Sequence, residues 1–197
     1  MAFFKRKTAP EWLVVFLGNP GKQYERTRHN AGFLAGDMLA ARYGVKINKS
    51  EYKGYTARIT VGGSPVLLLK PQTYMNLSGQ SAGLAGMFYK IPPEKTIMVY
   101  DDISLTPGRL RVRPDGSAGG HKGVTSIQQV TNSQNQPRVK IGIGMPPDED
   151  YAVPDWVISK FSDREFKELQ PILDDAGRAV EEIIEHGWES AAQKYNR

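Results

Sequence analysis

Hydrophobic and polar positions along the chain fall into short blocks of two kinds. Residues 12–17 (WLVVFL) form an unbroken apolar run that stops at Gly18-Asn19-Pro20-Gly21, the pattern of a buried strand closed by a turn. Residues 96–100 (TIMVY) repeat that pattern and end at Asp101-Asp102. Between them, 55–61 and 65–70 flank Gly62-Gly63-Ser64, which predicts a hairpin. Residues 31–43 switch to helical spacing, with Leu34, Met38 and Leu39 on one face and Gly44 as the stop. Ser78 is placed to cap a helix that runs to about Lys90, ahead of Ile91-Pro92-Pro93. Two strand-like runs, 109–113 and 138–144, bracket a helix over 122–131. Ser162 with Glu165 has the spacing of a capping box, and Phe166, Leu169, Leu173, Ala176, Val180 and Ile183 continue it as an apolar stripe up to Gly187. Pro171 falls inside that stripe, where its missing N–H predicts a kink. Strands and helices alternate, so the fold class is α/β in a single domain over 12–197. Residues 1–11 are basic, end near a proline and read as a flexible N-terminal tail.

Composition narrows the class without changing it. The chain has 197 residues, 40% hydrophobic and 24% charged, which suits one buried core. It has no cysteine, which removes disulfides, thiol catalysis and Cys-ligated zinc. No run approaches the roughly 20 apolar residues of a membrane helix, and residues 1–11 lack the apolar stretch of a secretory signal.

The net charge of +5 conceals an asymmetry: +7 over residues 1–108, +5 over 109–140 and −7 over 141–197. Asp115 is the only acid in the middle segment. There Arg109, Arg111 and Arg113 alternate with Leu110 and Val112, so a strand would turn all three arginines to one face. Such a row suits phosphates through bidentate hydrogen bonds, and it equally suits a plain solvent-facing strand. The acidic final segment fits a solvated helix face.

Polar residues recur where strands end, the place where α/β sheets bind ligands. Asn19 follows the first strand, His29 and Asn30 precede the first helix, Asn76 lies beyond 65–70, and Asp101 ends the strand at Tyr100. Of three histidines, His186 sits in the last turn of a helix, whereas His29 lies at a loop-to-helix boundary and suits a general base. Asp101 is the carboxylate best placed to orient it, although Asp101-Asp102 also fits a turn or a cap. Gly79-Gln80-Ser81-Ala82-Gly83 matches the nucleophile elbow of serine esterases, yet Ser81 falls inside a predicted helical turn rather than directly after a strand. Residues 116–123 fail the P-loop pattern at His121 and Gly123, and no dinucleotide fingerprint or H-E-x-x-H spacing exists.

Taken together, these segments resemble one family. Gly18-Asn19-Pro20-Gly21, Tyr24, Thr27-Arg28-His29-Asn30-Ala31-Gly32, the run from Lys70 to Gly79, Tyr100-Asp101-Asp102, Gly119-Gly120-His121 and Ile141-Gly142-Ile143-Gly144 are similar, in order, to the motifs of bacterial peptidyl-tRNA hydrolases. The resemblance implies a single domain with a mixed twisted sheet flanked by helices on both sides, acting as a cytoplasmic monomer without metal or organic cofactor. It implies hydrolysis of the ester between peptide and tRNA by histidine-activated water, which frees tRNA for reuse in translation. His29 corresponds to the family's base and Asp101 to its orienting carboxylate. Asn19, Tyr24, Met75 and Asn76 correspond to cleft residues that hold the substrate, and Arg111, Arg113 and Lys140 to contacts with tRNA phosphates. Lys122 stands where the family commonly has asparagine, and lysine only donates hydrogen bonds. That departure keeps open a relative that binds RNA without cleaving it. The acidic stretch 148–160 corresponds to a flap over the cleft, expected on the peptide side because like charges repel phosphates, and a plain surface loop stays the alternative.

Overall fold

A strand of five residues, β1 (Trp12–Phe16), forms the middle of a seven-stranded sheet in the computed structural model, which describes residues 8–148 and 150–196. Its side chains alternate between two separate cores: Val14 and Phe16 face one, Leu13, Val15 and Leu17 the other. An apolar residue at every position is what burial on both faces requires. The remaining strands are β2 (Lys49–Glu51), β3 (Gly54–Val61), β4 (Ser64–Pro71), β5 (Thr96–Asp102), β6 (Leu110–Arg113) and β7 (Arg138–Gly142). Their order is β2-β3-β4-β1-β5-β7-β6. The four central strands run parallel, while β2-β3, β3-β4 and β6-β7 pair antiparallel, so the sheet is mixed.

Helices cover both faces. α1 (Ala31–Arg42), α5 (Asp163–His186) and α6 (Trp188–Tyr195) close the first core, and α2 (Ser78–Tyr89) with α3 (Lys122–Thr131) closes the second. A short α4 (Val153–Ile158) lies between β7 and α5. Among the described residues, no helix is long and apolar enough to cross a membrane.

Several local expectations hold and several shift. The β3–β4 hairpin closes on Gly62 and Gly63, both at positive φ, as a two-residue turn demands. Ser162 and Glu165 form the reciprocal capping box, and α3 spans the expected residues. Ser78 is not the cap of α2: Leu77 holds that position, and the Ser78 hydroxyl donates to the Met75 carbonyl at 2.9 Å. α5 continues through Pro171 as one helix of 24 residues, its apolar stripe packed on the sheet. Asp101 and Asp102 belong to β5 itself, with Asp101 beside Ile141 of β7. Residues 1–7 of the expected tail lie outside the described residues. Within the rest of it, Pro10 is buried and the Glu11 N–H donates to the Pro65 carbonyl at 2.8 Å.

Candidate active site

The carboxyl ends of β1, β4 and β5 open into a cavity of about 790 Å³, a size typical of a ligand site. His29 reaches it from a single 3-10 turn, Arg28–Asn30, that leads into α1. Gly32 makes this approach possible. A Cβ there would lie 2.4 Å from the Val99 carbonyl oxygen and 2.5 Å from that of Leu17, so only glycine lets α1 press against β1 and β5.

The centre of the site is a buried carboxylate shared by two histidines. His29 Nδ1 lies 3.0 and 2.9 Å from the two Asp101 oxygens, and His121 Nε2 lies 3.2 Å from Oδ1. Burial alone would push the Asp101 carboxyl up, but the two imidazoles outweigh it and hold the group well below the usual carboxylate range. An ionised carboxylate only accepts hydrogen bonds, so His29 carries its proton on Nδ1 and keeps the lone pair on Nε2. Burial lowers the affinity of His29 for a proton, attraction and hydrogen bonding to Asp101 raise it, and Lys122 lowers it; the net shift is upward. Both ring nitrogens of His121 are committed, since its Nδ1 also accepts the Val124 N–H at the start of α3, 3.3 Å away. Sequence reasoning sets His121 among the segments expected to converge beyond the strand ends but assigns it no part in the site; its place directly before a helix and after two glycines is the signal that could have done so.

Asn30 clips the adjacent loop. Its side chain accepts the Asn19 N–H at 2.8 Å and donates to the Asn19 carbonyl at 3.0 Å. The Asn19 side-chain oxygen accepts the Met75 N–H at 2.9 Å, which leaves its NH₂ group as the donor available to the cavity. Met75, Asn76 and Lys122 also line the cavity, Asn76 and Lys122 exposed and Met75 buried. Tyr24 does not: it ends a 3-10 turn, Lys22–Tyr24, and is absent from the cavity wall.

The basic residues divide. Arg111 and Arg113 are exposed on one face of β6 and, with Arg109, line a separate groove of about 430 Å³. Ser104 lines both spaces, so the groove adjoins the cavity. Lys140 sits beside Arg111 in register, but its ammonium donates to Asp102 at 2.9 Å and it lines the cavity instead. Arg138 is fully buried and donates to the carbonyls of Gln136, Ser117 and Gln134, so it supports loops and offers nothing to a phosphate. Ser81 lies within α2, buried and outside the cavity wall, which removes the nucleophile elbow.

The opposite wall is apolar. Val153, Pro154, Val157 and Ile158 of α4 line it together with Met145. Arg28, adjacent to His29, fastens this wall: its guanidinium stacks 3.8 Å from the Trp156 ring and donates to Ser159 Oγ, the Lys160 carbonyl and Glu165. The expected flap therefore contains a helix whose apolar residues face the cavity. His29, Asp101 and His121 are also the group that could hold a metal, with ligand atoms within 4.8 Å of one another among the described residues.

A mixed sheet covered on both faces, with a histidine–carboxylate cleft at its carboxyl edge, defines an α/β enzyme. The sequence profile of the peptidyl-tRNA hydrolase family matches residues 13–197, and the chain belongs to that family. It is 46% identical over 185 residues to the peptidyl-tRNA hydrolase of Clostridium botulinum strain Hall, covering 94% of this chain and 96% of that one. The Clostridium novyi enzyme is 45% identical, with 94% and 97% covered. The crystal structure of peptidyl-tRNA hydrolase from Acinetobacter baumannii superposes with a TM-score of 0.87 at 34% identity, covering 96% of this chain and 97% of that one. The chain is thus a hydrolase with the single-domain architecture of these structures.

Proposed function

We propose that this chain cleaves the ester joining peptide to tRNA with a water molecule activated by His29. Family membership supports the reaction. The observation that carries the mechanism is the shared Asp101 carboxylate, which fixes the His29 tautomer with Nε2 as the open acceptor. Water bound there would lose its proton to Nε2 as its oxygen attacks the ester carbonyl, and Asp101 would stabilise the resulting imidazolium. The Asn19 amide, Asn76 and Lys122 supply donors for the oxyanion that develops on the carbonyl oxygen. His29 then returns the proton to the departing ribose oxygen. In this reading His121 orients Asp101, and the direct N···O contacts of 2.9 to 3.2 Å are hydrogen bonds rather than a ligand set awaiting a metal.

Arg111 and Arg113 meet the phosphates of the acceptor stem, reading backbone and not sequence, so one enzyme serves many tRNAs. Lys140, already paired with Asp102, acts nearer the ester. The apolar wall of α4 covers the peptide side as a flap. The same reading has the protein acting as a monomer in the cytoplasm, with tRNA as its partner and no cofactor.

The test is deacylation of N-acetyl-aminoacyl-tRNA at low salt, with free aminoacyl-tRNA spared. His29→Ala is expected to lose about 10²–10⁴ in kcat. Uncleaved N-blocked substrate would sink the hydrolase reading. Retained tRNA binding without turnover in both wild type and variant would replace it with an RNA-binding one.

A further inference from the structure

β6 is the outermost strand of its side of the sheet, so one row of its backbone groups has no neighbouring strand. Asn196, just beyond α6, covers that edge. Its side-chain oxygen accepts the Val112 N–H at 2.6 Å, and its NH₂ donates to the Val112 carbonyl at 3.3 Å. One amide side chain thereby reproduces both hydrogen bonds of a strand partner. The backbone there also bridges Leu110 in parallel sense. Val112 is the residue between Arg111 and Arg113, and Asn196 lines the same groove as those arginines.

We propose that Asn196 is a positioning residue for tRNA binding: by clasping Val112 it holds the edge strand so that the guanidinium groups on either side project together into the groove. This rests on the reading of the arginine row as a phosphate contact. Without the clasp, an edge strand of four residues keeps only its β7 ladder. The two arginines would then spread over more orientations, and ordering them would weaken each phosphate contact.

Asn196→Ala and Asn196→Asp separate this role from plain structural support. The aspartate keeps the acceptor for the shorter bond to the Val112 N–H but adds a negative charge to the groove. If Asn196 only stabilises the fold, alanine lowers the thermal midpoint but the fully folded variant binds tRNA as wild type does. If it positions the arginines, alanine weakens binding by the fully folded protein as well, and aspartate, which keeps the acceptor, loses affinity through its added charge, a loss that rising salt screens. The measurement is affinity for deacylated tRNA across a salt series, with thermal midpoints in parallel. Alanine is expected to weaken binding about threefold to tenfold, the worth of one hydrogen bond, and to make the salt dependence shallower. Wild-type affinity and an unchanged salt slope in the fully folded alanine variant would overturn the proposal. Because the probe carries no ester, the result is independent of whether the protein hydrolyses peptidyl-tRNA.

Discussion

Replacing Asp101 by asparagine should leave the shape of the site intact and expose how His29 is tuned. In the structure the carboxylate touches His29 Nδ1 with both oxygens, at 3.0 and 2.9 Å. That places the imidazolium and carboxylate charges about 4 Å apart, where a unit pair at the effective dielectric of a protein interacts by about 4 kcal/mol. If this attraction acts mainly on the charged imidazole of the transition state, its loss corresponds to about 10³ in kcat at 1.36 kcal/mol per decade. The pH profile carries a sign as well. A base works unprotonated, so the acid limb of kcat/KM follows the His29 pKa, which Asp101 holds above its ordinary value against burial and Lys122. With Asp101 neutralised, only the two lowering influences remain, and the acid limb moves to lower pH even as the plateau falls. Lys122→Gln should move the limb the opposite way, since it removes a cation that opposes protonation. The assay is deacylation of N-acetyl-aminoacyl-tRNA between pH 5 and 9, with circular dichroism to confirm folding. A plateau loss under tenfold, or an acid limb displaced upward in Asp101→Asn, would refute the assignment of His29 as base and Asp101 as its partner.

Ser81→Ala should retain wild-type turnover, because the hydroxyl is buried in α2 away from the cavity; abolished activity would revive a serine nucleophile. Arg111→Ala with Arg113→Ala should weaken tRNA binding and flatten the plot of log affinity against log salt by up to about 0.9 for each phosphate that is no longer neutralised, and an unchanged slope would remove the pair from the interface. Arg138→Met, in contrast, should lower the thermal midpoint by stranding buried carbonyls, without the specific loss of salt dependence. Gly32→Ala should cost stability on the order of 1–3 kcal/mol and depress kcat, because the added methyl meets two backbone carbonyls that cannot move aside independently; an unaltered denaturation midpoint would contradict that packing.

The elements that hydrophobic pattern could reveal were those whose stability comes from burial. β1 and β5 are apolar because both faces are covered, and the stripe of α5 is one face of a helix against the sheet. β2 offered no such signal: Lys49, Ser50 and Glu51 are polar and held by pairing with β3. α6 lay hidden behind Gly187, which ends one helix and begins the next. His29 and Asp101 were legible from their motifs and are in contact as expected. His121 stood in one of those motifs without a role, because only tertiary contact shows that a second imidazole meets the same carboxylate. Charge counting also treated cations as equivalent. Arg111 stays exposed, Lys140 is neutralised by Asp102 across 38 residues, and Arg138 is spent on three carbonyls. Only tertiary contact distinguishes them.

The place of β1 in the sheet has a consequence for how the protein is made. Among the described strands β1 comes first in the chain, yet its partners are β4 and β5, the second of which ends at Asp102. At typical elongation of about 5–20 residues per second, the first strand waits several seconds before both ladders can close, the β4 side before the β5 side. During that interval its run of valine, leucine and phenylalanine is a surface for nascent-chain chaperones and for aggregation. A pause in translation before codon 102 should therefore lower soluble yield more than an equal pause after it.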